Sequence, residues 1–279
     1  MLLDPEEIDD FIERALEEDI GRGDLTSNVT IPDDAVFKAS MVAREDIVVC
    51  GIAIAMRTFE LMVPDFVGEP QAEDGQKVDK GTILATVSGN ARAILAAERT
   101  ALNILQHLSG ISTEVRKYVD AVEGTGATMI DTRKTIPTLR NLAKYASFMG
   151  GARNHRIRLD DGVLIKDNHI AAVGSLTETV KHAMRATPAL TVVEVECDTL
   201  EQVAEAAESG VDMILFDNMD AAMLKKAVEI VAGRCRTECS GGVRLDTVRE
   251  KAETGVDFIS SGRMTQSAAA VDIGLDFLD

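Results

Sequence analysis

The sequence predicts an α/β protein: a small α/β or β-rich N-terminal domain, then an incomplete parallel α/β barrel. Three observations carry this. From about residue 36 to 90 the apolar pattern runs toward period two. After Gly124, six short apolar runs each end in polar or charged residues: ATMIDT, GVLIKD, VVEVEC, MILFDN, TECSGG and FISSGR. Amphipathic helical patterns at 175–186, 199–208, 220–232 and 245–254 alternate with the later runs, giving a repeat of about 20 to 25 residues. Near-continuous apolar strands alternating with helices make a parallel sheet covered by helices. No dinucleotide glycine fingerprint follows a strand, which favours a barrel over a doubly wound sheet. A seventh strand is expected near 150–160, and the end at Asp279 leaves no room for eight full units.

The elements follow in order. Residues 4–18 form a helix with Asp4 as N-cap, Pro5 at the first helical position and Glu7 completing a capping box. Ile8, Phe11, Ile12, Ala15 and Leu16 share one face. VFKASMVA and IVVCGIAIA read as strands and MRTFELM as a helix. EDGQKVDKGTILATVSGN reads as two short strands around Lys80-Gly81. Glu98 to Val122 is a long helical pattern, with an interruption expected at Gly110. The division expected is 1–112 and 113–279, with the first helix and the C-terminal tail able to pack across that boundary.

Composition narrows the function. The 279 residues carry a formal charge of −18. A nucleic-acid partner demands a broad basic face, and an anionic membrane surface repels such a chain, so both are excluded as expected partners. The N-terminus has neither a basic region nor a long apolar run, and no apolar segment approaches transmembrane length, which places the expected location in the cytoplasm. The cysteines at 50, 197, 235 and 239 form no CxxC pair. Cys235 and Cys239 fall in or beside a strand, where i and i+4 stand about 13 Å apart, too far for a shared metal or a disulfide. Buried free thiols are expected at all four.

Against this acidic background, Arg133 to Lys166 holds eight Lys or Arg and two acidic residues, a local balance of +6. His155 lies within that stretch and His169 just beyond it. In a parallel barrel the C-terminal ends of the strands converge on one face. Those ends read Asp131, Arg133 and Lys134; Lys166, Asp167 and His169; Glu194, Glu196 and Asp198; Asp217; Ser240, Gly241 and Gly242; and Ser260, Ser261 and Gly262. Glu196 and Asp217 suit hydroxyl groups or a Mg²⁺ that keeps several waters. Glu194 shares the face of Glu196 by period two. The late glycine loops suit a phosphate. Arg133, Lys134, His155, Arg156 and Lys166 offer donors for carboxylates. The site therefore receives two anionic ligands, one phosphorylated and one a carboxylate.

The motifs ERTALNILQHLSGIST, DTRKTIPTLR, GGARNHRIRLDDGVLIKDNHI, VEVE, ILFDNM, ECSGGV and SSGRMTQSA resemble the quinolinate phosphoribosyltransferase family. The resemblance runs over nearly the whole chain, to the terminal DIGLDF. It implies an N-terminal α/β sandwich joined to a seven-stranded α/β barrel. It implies phosphoribosyl transfer from phosphoribosyl pyrophosphate (PRPP) to quinolinate with loss of CO₂, giving nicotinate mononucleotide for NAD biosynthesis. By the resemblance Arg133, His155, Arg156 and Lys166 bind the two quinolinate carboxylates. Arg99 enters from a neighbouring subunit, which implies a homodimer or hexamer with shared sites. Lys134 faces the PRPP phosphates. Glu196 and Asp217 hold the ribose hydroxyls and Mg²⁺, and Ser240, Gly241 and Gly262 hold the 5′-phosphate end. Lys134, Lys166, Glu196 and Asp217 form the catalytic set. The family usually has THSA in the last barrel loop; here it is TQSA, and Gln266 keeps a donor but no charge. Three alternatives stand beside this: a paralogue of the kind associated with molybdenum transport, a phosphoribosyltransferase for another aromatic acid, and a barrel lyase using Lys166 as a Schiff-base lysine. The intact RNHR and KDNH motifs favour quinolinate, and the surrounding arginines suit carboxylate binding better than imine chemistry.

Overall fold

A computed structural model describes residues 3–278. The chain divides into two compact units. One holds residues up to 116 with 141–151 and 268 onward; the other holds 117–140 and 152–267. The division is interleaved: the C-terminal tail joins the first unit, as was allowed for, and so do residues 141–151.

Helix α1 (Pro5–Ile20) starts as its sequence dictates, with the Asp4 carboxylate accepting the Glu6 N–H at 3.0 Å. Glu7 does not close a capping box there; its carboxylate accepts from the Asn141 side-chain amide at 2.8 Å. Helix α2 (Leu25–Thr30) is capped by Asp24, and strand β1 (Val36–Ala43) follows as expected. IVVCGIAIA is one short strand, β2 (Ile47–Val48), and then the start of helix α3 (Ile52–Met62). Gly51, in the left-handed conformation, separates the two. Ile52, Ile54, Ala55, Met56, Thr58 and Phe59 are all buried. A helix packed on most of its faces loses the polar stripe that would betray it, so its sequence reads like a strand. Strand β3 (Val67–Pro70) had no clear signal. Strands β4 (Lys77–Val78) and β5 (Ile83–Asn90) are the two expected around Lys80-Gly81.

Helix α4 (Ala91–Val122) runs 32 residues without a break at Gly110. Leu102, Leu105, Leu108, Ile111 and Val115 are at most 2% exposed along it. Each such side chain stabilises the fold by roughly 1.5–3 kcal/mol through apolar burial.

The second unit carries the six expected barrel strands. Strand β6 (Thr128–Ile130) precedes helix α5 (Arg140–Met149), most of which belongs to the first unit, where Ser112 on α4 donates to the Ala146 carbonyl at 2.7 Å. Then come β7 (Val163–Ile165), α6 (Asp167–Val173) and α7 (Leu176–Ala186). Strand β8 (Val193–Cys197), α8 (Leu200–Glu208), β9 (Met213–Asp217) and α9 (Ala221–Val231) continue the alternation. Strand β10 (Arg236–Ser240), α10 (Val248–Ala252), β11 (Phe258–Ser260) and α11 (Arg263–Gln266) complete it. All ladders are parallel, in the order β6-β11-β10-β9-β8-β7. The expected seventh strand is reduced to one parallel bridge, Ile130 to Arg153. Ile130, Val163, Glu194, Met213, Arg236 and Phe258, one from each strand, line a single cavity, so the sheet is curled. No ladder joins the Arg153 segment to β7 among the described residues, which leaves the barrel open along one seam.

The chain then returns to its first unit. Strand β12 (Ile273–Phe277) pairs antiparallel with β1, extending a sheet of order β12-β1-β5-β3. On the way it crosses α4 at Gly110, where a Cβ would stand 2.1 Å from the Ala269 carbonyl oxygen. The glycine is there for that approach, not to break the helix. Cys50, Cys197 and Cys239 are buried free thiols as expected, while Cys235 is half-exposed. We expect Gly110→Ala to lower unfolding free energy by about 1–3 kcal/mol, although alanine in an open helix gains about 1 kcal/mol over glycine. Urea denaturation of the two proteins measures this, and a stabilised alanine variant would contradict the contact.

Candidate active site

The polar side chains of the barrel interior lie in layers set by strand register. Glu196 on β8 stands opposite Leu215 on β9, and Ser240 on β10 opposite Asp217 at the end of β9. Two residues earlier on their strands lie Glu194 and Glu238, whose side chains are 3% and 1% exposed. Residues two apart on a strand share a face. The interior therefore has an outer layer at the C-terminal strand ends and a buried carboxylate layer beneath it.

The outer layer holds opposite charges. Lys166, the N-cap residue of α6, forms an ion pair with the Glu196 carboxylate. The Lys166 backbone N–H is held by His169 Nδ1 at 2.9 Å. Lys134 lies across Gly262, with its Cδ 2.7 Å from where a Cβ would stand, and its carbonyl accepts from Thr265 Oγ1 at 2.8 Å. The Asp217 carboxyl is pushed upward by burial and by the Asp198 charge, and drawn back by Lys166 and Lys134. A carboxylate under that pressure favours a nearby cation. Its oxygens and those of Glu196 are the hard donors Mg²⁺ prefers, so the residues fit that ion. Asn218 anchors the next turn: its side-chain amide donates to Asp217 at 2.7 Å and its backbone N–H to the Ser240 carbonyl at 3.1 Å. Ser260 Oγ donates to Ser240 Oγ at 3.0 Å.

Gly241 and Gly242 both adopt positive φ, +80° and +61°. Consecutive backbone N–H groups in such a turn make an anion-binding concavity. A Cβ on Gly241 would lie 2.3 Å from Asn218 Oδ1 and 2.6 Å from its backbone nitrogen. Gln266 is exposed at the end of α11.

Arg133 and Arg156 form the cationic wall. The Arg156 guanidinium pKa is lowered by burial and by the charge of Arg133. Arg156 Nη1 donates to the Gly162 carbonyl at 3.1 Å. Arg133 Nε is buried without a hydrogen-bond partner. Two guanidiniums that repel each other, one with an orphaned donor, are relieved by a bound anion.

His155 takes a place that spacing did not foretell. Its Nε2 lies 3.0 Å from Glu194 Oε2 and 3.4 Å from Glu238 Oε2, and its Nδ1 accepts the Arg156 backbone N–H at 2.8 Å. Burial pulls the imidazole pKa down, but the hydrogen bond with Glu194 and the adjacent Glu238 carboxylate outweigh it and push it up to about 10. Burial, then the Glu238 charge, pushes Glu194 up to about 7, against the pull of His155. Both shifts keep a proton within the cluster at neutral pH. The three ligand-type atoms lie within 4.8 Å of one another.

The second unit thus gathers Arg133, Lys134, His155, Arg156, Lys166, Glu196, Asp217, Ser240, Gly241, Gly262 and Gln266 within one α/β unit. Arg99 is not among them; it is exposed on α4 in the first unit. Glu238 is the residue the sequence reading passed over. Its signal was present in ECSGGV: period two from Ser240 puts Glu238 on the interior face, as it puts Glu194 beneath Glu196.

We expect Gly241→Ala to reduce activity about tenfold or more by displacing Asn218 and the Asp217 carboxylate it holds. Gly242→Ala, with nothing within 4 Å of the new Cβ, should cost less in both activity and stability. Parallel kinetics and urea melts compare them, and equal losses would show that backbone strain, not the Asn218 contact, governs this turn.

Residues 24–109 match the quinolinate phosphoribosyl transferase N-terminal domain and residues 111–276 its C-terminal domain. A probable nicotinate-nucleotide pyrophosphorylase [carboxylating] from Synechocystis is 40% identical over 275 residues, covering 97% of this chain and 92% of the relative. A nicotinate-nucleotide pyrophosphorylase [carboxylating] from Mycobacterium leprae is 42% identical over 273 residues, covering 96% of each. The crystal structure of NadC from Streptococcus pyogenes superposes with a TM-score of 0.95 at 38% identity, covering 100% of both chains. The chain belongs to the quinolinate phosphoribosyltransferase family.

Proposed function

We propose that this chain joins the phosphoribosyl group of PRPP to quinolinate and releases pyrophosphate and CO₂, forming nicotinate mononucleotide for NAD biosynthesis. The observation that carries it is the Arg133–Arg156 pair: two guanidiniums that repel each other, one with an orphaned donor, in a chain of charge −18. They suit a ligand with two carboxylates. The Glu196 and Asp217 oxygens and the Gly241-Gly242 turn suit the ribose and its 5′-phosphate.

In this reading Arg133, Arg156 and Lys166 hold the quinolinate carboxylates, with His155 in the same wall. Lys134 faces the pyrophosphate, where its charge offsets that developing on the leaving group. Glu196 and Asp217 hold the ribose hydroxyls. Glu196 and Asp217 would also hold Mg²⁺, which supplies charge neutralisation at the leaving pyrophosphate. The quinolinate nitrogen attacks C1 of the ribose as the C1–O bond to pyrophosphate breaks, and the pyrophosphate leaves with that electron pair. The ring becomes a pyridinium, and that cation stabilises the electron pair left on C2 when the 2-carboxylate departs as CO₂; a proton from water then forms the C2–H bond of the product. The side chains mainly position two polyanions that would otherwise repel each other. Gln266, a neutral donor, serves the pyrophosphate end by hydrogen bonding alone. Lys166 is engaged by Glu196 as a charged partner, which disfavours the Schiff-base alternative.

The reading includes self-association. Arg99, exposed on α4, would complete the quinolinate site of a second copy in a homodimer or hexamer.

Incubation with quinolinate, PRPP and Mg²⁺ should yield nicotinate mononucleotide and CO₂, and chelation of the metal should stop turnover until Mg²⁺ is restored. Turnover with nicotinate but not quinolinate would overturn the assignment. Arg99→Ala and Lys166→Ala proteins, each inactive, should regain activity on mixing, because a mixed dimer holds one intact site. Verified mixed dimers that stay inactive would rule out a shared site.

A further inference from the structure

The buried layer beneath the site has no role in the proposed reaction, yet it is costly. Glu194 and Glu238 are 3% and 1% exposed, and Glu194 Oε1 and Glu238 Oε2 have no hydrogen-bond partner. Taking a carboxylate out of water costs several kcal/mol, and well-packed apolar residues often serve stability as well or better. Stability alone therefore does not account for two carboxylates here.

What they hold is the His155 ring. Its Nε2 edge faces both glutamates, and its Nδ1 takes the Arg156 backbone N–H. The His155 backbone N–H in turn donates to the buried Asp131 carboxylate at 2.9 Å, which also accepts from Asn154 Nδ2 at 2.7 Å. This matters because residues 152–156 are the barrel's failed strand. Its ladder is the single Ile130–Arg153 bridge beside the open seam. Backbone pairing cannot fix the residues after Arg153, so side chains must. Arg156 lies three positions on, and its guanidinium has to meet both Arg133 and the substrate.

We propose that Glu194 and Glu238 are positioning residues for quinolinate binding: they clamp the His155 imidazole inside the barrel, and the clamped ring fixes Arg156 across the open seam. The inference rests on the quinolinate reading above. It assigns work to the two carboxylates through Arg156, without contact to substrate.

Charge and clamp predict opposite signs. Removing a buried negative charge near a dianion site should tighten quinolinate binding if charge alone matters. Removing the acceptor that holds the ring should weaken it. Glu194→Leu deletes both charge and acceptor, whereas Glu194→Gln deletes the charge and keeps an acceptor. With the full enzyme and Mg²⁺, we expect Glu194→Leu to raise the quinolinate KM about tenfold or more, as misplacement of a binding group does. The PRPP KM should stay within about twofold, and Glu194→Gln should restore the quinolinate KM to within about threefold of the unaltered enzyme. A quinolinate KM that falls or holds in Glu194→Leu would overturn the clamp. So would Leu and Gln variants that behave alike, or a parallel rise in both KM values. If Glu194→Leu does not fold, Glu238→Leu and Glu238→Gln make the same comparison at the longer 3.4 Å contact, with the same order expected and equality again overturning the proposal. The unaltered enzyme runs in each series: its failure to turn over quinolinate defeats the functional reading, whereas its success with indistinguishable variants defeats only the clamp.

Discussion

Parallel pairing among β8, β9 and β10 sets the height of every polar side chain inside the barrel. Glu196 pairs with Leu215 and Ser240 with Asp217, so carboxylates and a hydroxyl face the interior near the C-terminal strand ends. A step of two residues then carries Glu194 and Glu238 into the buried layer, because alternate side chains share a face. The opposite faces carry Val193, Val195, Cys197, Ile214 and Phe216, all 0–1% exposed. A slip of one residue in register would send the apolar set inward and the carboxylates outward. The apolar faces thus lock the position of groups they never touch.

Charge is then arranged against the average of the chain. The protein is strongly acidic, yet Arg133, Lys134 and Lys166 follow the C-terminal ends of two barrel strands. Lys166 is balanced by Glu196, while burial and then the Arg133 charge depress Arg156. Their mutual repulsion is tolerable with an anion between them, and bidentate carboxylate binding is what guanidinium geometry offers. The Asp217 carboxyl, raised by burial and by Asp198, is the mirror case on the side that receives sugar and metal. The two halves of the site are each strained in the direction that their ligands relieve.

Legibility in the sequence followed the physics of each segment. The six barrel strands were readable because each is a short apolar run with a polar end. The α1 N-cap was readable because Asp4 and Pro5 act locally. The start of α3 was misread because burial around the helix erased its period. Gly110 was misread because its cause, the Ala269 carbonyl, lies 159 residues away in sequence. The seventh strand was expected in the right interval, but a single bridge is all that forms there.

The sequence by itself determined the strand-helix alternation, the family motifs and the residue types of the site, since all of these depend on neighbours a few positions apart. Tertiary structure alone decided which of those residues face each other. His155 looked like one more cation among RNHR; pairing across β8 and β10 made it the centre of a buried carboxylate layer. Glu238 was invisible as a partner for it, because 83 residues separate them along the chain and only sheet closure brings them within 3.4 Å. The return of β12 to β1, and of α5 to α4, was likewise fixed by packing over long separations, which no local pattern encodes.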